Sequence, residues 1–187
     1  MRNAVGIVDF LAMRKTGLPT GISNVDVLGC SLTILRDTCA GGTEGSKKDI
    51  SGDVVDMLAS SGLIELLISL LRELEPPAIL KKTVRLSENQ EASSTPSKCC
   101  PYKGFRRDVV AIVGNCAYCR KHIQVKIREQ DGILLLLQQC VTDEDNPFLR
   151  EWGIRSVRNI LEGNRENKQV VASLELQGSV DVPEMLN

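Results

Sequence analysis

The densest gathering of reactive side chains lies between residues 99 and 122. Cys99 and Cys100 are adjacent, Cys116-x-x-Cys119 follows, and the chain's single histidine, His122, comes three residues later. Thiolates and imidazole are tetrahedral Zn²⁺ ligands, and cysteines three positions apart can share one helix face. A redox dithiol of the same spacing would need a strand–helix–strand setting that does not surround it here. Against zinc, adjacent cysteines point in different directions and no second well-spaced pair follows. Small thiols also suit close packing inside a helix. Buried or incidental thiols are the favoured reading, and a small zinc protein using Cys116, Cys119 and His122 is the alternative.

Other chemistries find less support. A nucleophile needs a base beside it, and His122 sits in a basic run without an acid placed in sequence to orient it. It reads as a solvated helix-start residue. Asp143-Glu144-Asp145 lacks the glycine and the spaced oxygens of a calcium loop. Its charges are expected instead near the positive end of a helix beginning at about Pro147. The stretch 41–48 (GGTEGSKK) follows a helix and lacks Gly-Lys-Ser/Thr at the offset of a phosphate loop. No catalytic residue and no cofactor are expected.

The elements that carry these residues are helical. Leu, Ile and Val dominate the apolar content, and aromatics make up only 3% of the 187 residues. Such a composition suits helices packed by aliphatic ridges. Apolar periodicity predicts helices over 24–40, 53–60, 63–74, 105–118, 121–130, 132–141, 148–162 and 166–174. Two of them, LIELLISLLREL and GILLLLQQCV, are apolar over most of their circumference and each is led by a glycine, Gly62 or Gly132. Pro76-Pro77 ends the first, since proline lacks the amide donor. Asn115 and Asn159 stand 44 residues apart near the ends of corresponding helices. A period in the forties with three helices per unit is that of armadillo-like repeats. The expected fold is an all-α, armadillo-like superhelix, whose units must cover one another's apolar helices.

The organisation reads as a poorly defined segment 1–23, repeat helices over 24–75, an inserted polar loop 76–104, further repeats over 105–182, and a tail 183–187. In the loop, Thr95-Pro96 is the best candidate phosphorylation acceptor. Charge is uneven: net −2 over 1–97, +7 over 98–128 and −6 over 129–187. The basic stretch reads mainly as a solvated face; its functional alternative attracts an acidic protein, with nucleic acid disfavoured by the scarcity of stacking aromatics. No apolar run reaches the ~18–20 residues of a membrane span, residues 1–15 make a poor signal peptide, and seven cysteines are too odd a set for a disulfide scaffold. A cytosolic location is expected, with the nucleus possible by the same reasoning, and no membrane partner.

Three long strings carry a resemblance: CCPYKGFRRDVVAIVGNCAY, GILLLLQQCVTDEDNPFLREWGI and VRNILEGNRENKQVVASLELQGSVDVP. Together they closely resemble the C-terminal domain of the ataxin-10 family, nearest to its plant members. The likeness extends more loosely through LRDTCAGG and VVDMLASSGLIELLISLLRELEPPAI, over residues 24–182. It implies a non-catalytic armadillo scaffold that binds protein partners and is linked to cytokinesis. It also implies a shortened member, whose uncapped repeats would self-associate or leave it without an independent role.

The resemblance directs attention to a groove. In armadillo proteins of the importin type the third helix resembles Trp-x-x-x-Asn, the asparagine holding a ligand's backbone. The matching positions here read Ala111…Asn115 and Arg155…Asn159. Both asparagines are present, both tryptophans are absent, and Arg155 with Arg158 would repel a basic peptide. The expected partner-binding surface comprises Asn115, Arg155, Arg158, Asn159, Arg106 and Arg107. Bonding of the asparagines to neighbouring backbone is an equal alternative.

Overall fold

A computed structural model describes residues 17–40, 50–77 and 98–179. Eight helices and no strand occur among these: α1 (Ser23–Ala40), α2 (Ile50–Ser60), α3 (Leu63–Glu73), α4 (Phe105–Ala117), α5 (Lys121–Glu129), α6 (Gly132–Leu137), α7 (Leu149–Leu161) and α8 (Arg165–Ser179). All eight expected helices are present, with two clear departures in length: α6 stops at Leu137, four residues short of the apolar run's end, and α8 runs to Ser179, five residues past its expected end. No single described helix is long and apolar enough to cross a membrane. The glycine-rich stretch 41–48 and Thr95-Pro96 lie outside the described residues.

The fold centres on α4, every residue of which is buried. Its most extensive neighbours are α7 on one side and α1 on the other, with α3 and α5 closing much of the remainder. Val109, Val110, Ile112 and Val113 are wholly excluded from solvent. β-branched residues are mediocre helix formers, but they fill a fully covered helix without long flexible side chains. The three helices run in the same sense. Ser156 and Asn159 of α7 meet Val110 and Gly114 of α4 in rising order, and Asn115 and Cys116 of α4 meet Arg36 and Cys39 of α1 likewise.

Short helices flank this stack. α3 buries Ile64, Leu67, Ile68 and Leu71 on one face, and α6 buries Ile133 and Leu136. Turn geometry recurs at their starts and at those of α4 and α7. Gly62, Gly104, Asp131 and Phe148 all precede a helix in the left-handed region, with φ of 92°, 97°, 54° and 65°. Gly62 and Gly104 adopt it without the Cβ penalty. The sequence comparison of Gly62 with Gly132 is thus displaced by one residue, because Asp131 makes the turn. Gly132 serves close approach instead: a Cβ there would lie 2.8 Å from Ile127 Cγ2 and 2.9 Å from Ile68 Cδ1.

Asp143, Glu144 and Asp145 stand just ahead of α7, whose cap position is taken by Phe148 without a side-chain bond. Asp143 accepts bonds from the Asp145 amide (2.9 Å) and Asn146 Nδ2 (3.2 Å), holding the turn together. The Asp145 carbonyl in turn accepts the Gly104 amide at 2.8 Å, tying the turn before α7 to the turn before α4. Across the expected polar loop, a short backbone pairing of Leu74 with Lys98 joins the two described ends.

The α4–α7 contact leaves no room for a side chain at Gly114. A Cβ there would fall 2.2 Å from Ser156 Oγ and 2.9 Å from Ser156 Cα. Gly114→Ala is therefore expected to cost about 1–3 kcal/mol through overpacking, read as a lower thermal midpoint by circular dichroism. Ser156→Gly in the same chain should recover part of the loss. An unchanged midpoint in the single variant would contradict this close approach.

Candidate partner-binding face

Asn115 and Asn159 are built into the helix stack. Asn159 Nδ2 donates to the Gly114 carbonyl at 2.9 Å, and Asn115 Nδ2 donates to the Arg36 carbonyl at 3.2 Å. Each asparagine is 4% exposed. On α4 the acceptor Gly114 immediately precedes the donor Asn115; on α1 the acceptor Arg36 precedes Asp37, a carboxylate that accepts from Arg36. These rungs satisfy buried amide groups and fix helix register. Backbone bonding within the stack, one of the two readings open in the sequence, is present for both asparagines.

Arg106 and Arg107 were expected on the surface, and the fold buries them at 4% and 0% exposure. Arg106 donates to Gln139 Oε1 at 3.2 Å and to the Glu75 carbonyl, bracing α4 against the segment after α3 and the turn after α6. Arg107 donates to Asp108 Oδ1 through Nη2 (2.6 Å) and Nε (3.0 Å). The same carboxylate oxygen receives Arg36 Nη1 of α1 at 3.2 Å, and its other oxygen accepts the Tyr102 hydroxyl at 3.0 Å. Burial, reinforced by the Asp108 charge, pushes the Tyr102 phenol far above its usual range, so it remains a donor. A cluster of two guanidiniums, one carboxylate and one phenol thus sits inside the protein. Sequence reasoning treated arginine as a surface residue, and only the single acid among the eight bases of that stretch, Asp108, hinted otherwise.

Arg155 and Arg158 do lie at the surface, on the outer side of α7. They occupy the positions that Ala111 and Gly114 hold on α4, where small residues admit α7. Arg155 lies over the Trp152 ring, 5.2 Å from its centroid, an amphipathic contact that holds the guanidinium in place. Ile154 is 51% exposed beside them. The outer face of α7 is therefore basic with an apolar edge. It cannot repeat the Gly114-type approach of another helix.

The zinc candidates separate in space. Cys116 is buried and donates to Cys39 Sγ of α1 at 3.4 Å. Cys119 is exposed, in a left-handed turn at φ 54°. The His122 side chain is 62% exposed and lies 3.3 Å from Asp56 of α2, which also holds Arg120 at 3.4 Å. The histidine does have a neighbouring acid, one brought by another helix. No cluster of three or more His, Cys, Asp or Glu suited to a metal occurs among the described residues. Much of the basic stretch is likewise matched by acids from elsewhere: Lys126 by Glu65 (2.6 Å), Arg128 by Glu166 (2.6 Å) and Lys98 by Glu73 (2.7 Å). Lys126 holds the Glu65 carboxyl below its usual range.

Among the described residues, fold and site together define a helical stack in which α7 presents a basic face. Residues 105–187 match the family model described as the Spinocerebellar ataxia type 10 protein domain. Ataxin-10 of Xenopus tropicalis is 40% identical over 78 residues, covering 42% of this chain and 16% of that protein. Human ataxin-10 is 35% identical over 123 residues, covering 64% of this chain and 25% of that protein. The ataxin-10 homolog of Dictyostelium discoideum is 36% identical over 83 residues, covering 44% and 14%. Over residues 105–187 the chain is similar to the ataxin-10 domain, and the likeness to whole ataxin-10 proteins extends over 64% of it. The chain spans a quarter or less of the length of these relatives. No solved structure matches it.

Removing the Asp108 charge should take from buried Arg107 its carboxylate at 2.6 Å and leave Arg36 with Asp37 alone as its acid. Asp108→Asn is expected to destabilise by about 3–5 kcal/mol, whereas Arg155→Glu with Arg158→Glu should change stability by about 1 kcal/mol or less. Urea midpoints measure both. Equal effects of the two changes would contradict the assignment of one cluster to the interior and the other to the surface.

Proposed function

We propose that this chain is a non-catalytic interaction scaffold, an armadillo-like superhelix that binds an acidic protein surface through the outer face of α7. The observation that carries the reading is the contrast between α4 and α7. Both helices share an asparagine rung, but α7 replaces Ala111 and Gly114 with Arg155 and Arg158. The helix order supports the armadillo part. A long helix of the stack is followed by two shorter ones, as α1 is by α2 and α3, and α4 by α5 and α6. The parallel rungs from α7 to α4 and from α4 to α1 give that order a constant stacking geometry.

The partner class follows from charge. Arg155 is held by Trp152, and guanidiniums suit bidentate recognition of carboxylates. Ile154 adds an apolar contact at the edge, so a protein surface fits better than a nucleic-acid backbone. The cytosol is the proposed location. By family resemblance, cell division is the proposed setting.

The test compares partners recovered by affinity purification with the wild-type chain and with the Arg155→Glu, Arg158→Glu variant. At least one partner should fall by about tenfold or more, corresponding to ~1.4 kcal/mol or more of binding free energy. An identical partner set at unchanged yield, with the variant's fold intact, would contradict the use of this face.

A further inference from the structure

The stack contains a pair of thiols with no part in the binding face. Cys39 closes α1 and Cys116 lies in the last turn of α4, 77 residues apart in sequence and both buried. Their sulfurs are 3.4 Å apart, with Cys116 donating its proton to Cys39. A disulfide needs about 2.05 Å, so a movement of roughly 1.4 Å between two side chains would join them. The pair sits beside the Asn115–Arg36 rung, where the backbones already hold register.

Cys39, though only 2% exposed, is not sealed off from small molecules. It lines a crevice with Ala40, Asn115, Tyr118, Arg120 and Arg155, with room for about one water-sized molecule. Arg120 stands in that crevice, and cationic surroundings favour a reactive thiolate. The hydrogen bond from Cys116, aided by Arg120, holds the Cys39 thiol below its usual range despite burial; the same bond and burial push Cys116 upward. The two thiols thus have different roles, one attacking and one resolving.

We propose that Cys39 and Cys116 form a peroxide-oxidisable dithiol that staples α1 to α4. Hydrogen peroxide is the oxidant. The Cys39 thiolate attacks one peroxide oxygen, the O–O bond breaks, and the departing hydroxide takes a proton to leave as water. Cys39 is then a sulfenic acid. The Cys116 sulfur attacks the Cys39 sulfur, the S–O bond breaks, and the hydroxyl leaves as water with the Cys116 proton. Two thiols lose two hydrogens and two electrons, and one peroxide becomes two waters.

The test exposes the folded chain to hydrogen peroxide, blocks remaining thiols after denaturation, and maps its peptides. The expected product is lighter by about 2 Da, the two hydrogens lost, and contains one intramolecular link between Cys39 and Cys116. Dithiothreitol reverses it, and the oxidised chain melts several degrees above the reduced one. Cys119→Ser should retain the link, which separates Cys116 from its exposed neighbour on the same peptide. Cys116→Ser should abolish it and leave Cys39 as a sulfenic acid trapped by a dione reagent. The proposal is overturned if peroxide consumes Cys30, Cys99 or Cys119 while Cys39 and Cys116 both remain free. It is overturned equally if the link forms to Cys119.

Discussion

A helix covered on all sides must pair most of the polar groups it carries, and in α4, which carries several, Arg106 Nε alone among the buried side-chain atoms is left without a partner. It holds Arg106, Arg107, Asp108 and Asn115 in a position where each is cut off from water. An unpaired buried charge costs several kcal/mol and an unpaired amide about 1–3 kcal/mol, against a typical whole-domain stability of about 5–15 kcal/mol. The rest of the structure is arranged around that requirement. Arg36 comes from α1 to Asp108, Gln139 from the turn after α6 to Arg106, and the Gly114 carbonyl of α4 is answered by Asn159 of α7. Each partner arrives on a different element, so satisfying α4 also fixes where its neighbours stand.

The same device operates at the far end of the stack with uncharged groups. Gln124 of α5 donates through Nε2 to the Asn159 carbonyl at 2.9 Å and the Ala117 carbonyl at 3.3 Å, and its Oε1 accepts Asn164 Nδ2 at 3.2 Å. Asn167 of α8 donates to the Ile160 carbonyl at 2.8 Å and the Gln124 carbonyl at 3.2 Å. The last carbonyls of α4 and α7, which no helical turn can satisfy, are closed by buried amides from α5 and α8. Long-range charge pairing has the same effect on the surface. The surplus of bases over 98–128 meets acids from both neighbouring segments, so the imbalance in sequence is reduced in space. Arg155 and Arg158 fall outside that matching, which is why the outer face of α7 stands out.

The helices were legible because apolar periodicity is a local property. LIELLISLLREL and DVVAIVGNCA announce buried helices whatever surrounds them. The 44-residue spacing of Asn115 and Asn159 revealed that two helices are equivalent, and the structure shows the equivalence as two rungs of one ladder. What periodicity could not tell was which basic residues face inward. Arg106 and Arg107 look like Arg155 and Arg158 in sequence, and only the elements packed over α4 separate them. The role of Gly132 was illegible for a related reason: glycine serves both left-handed turns and close contacts, and distinguishing them needs the backbone. The pairing of Cys39 with Cys116 depends wholly on how α1 lies against α4, so no short-range pattern could disclose it.

If α4 is the element on which the others depend, its amides should open only when the whole protein unfolds. Native-state hydrogen exchange across residues 105–117 tests this most directly. Protection there should equal the global unfolding free energy and exceed that of α1 and α8, which have one face less covered. Exchange in α4 as fast as in α1, or a separate unfolding of α4 while α7 stays protected, would contradict a stack built around it.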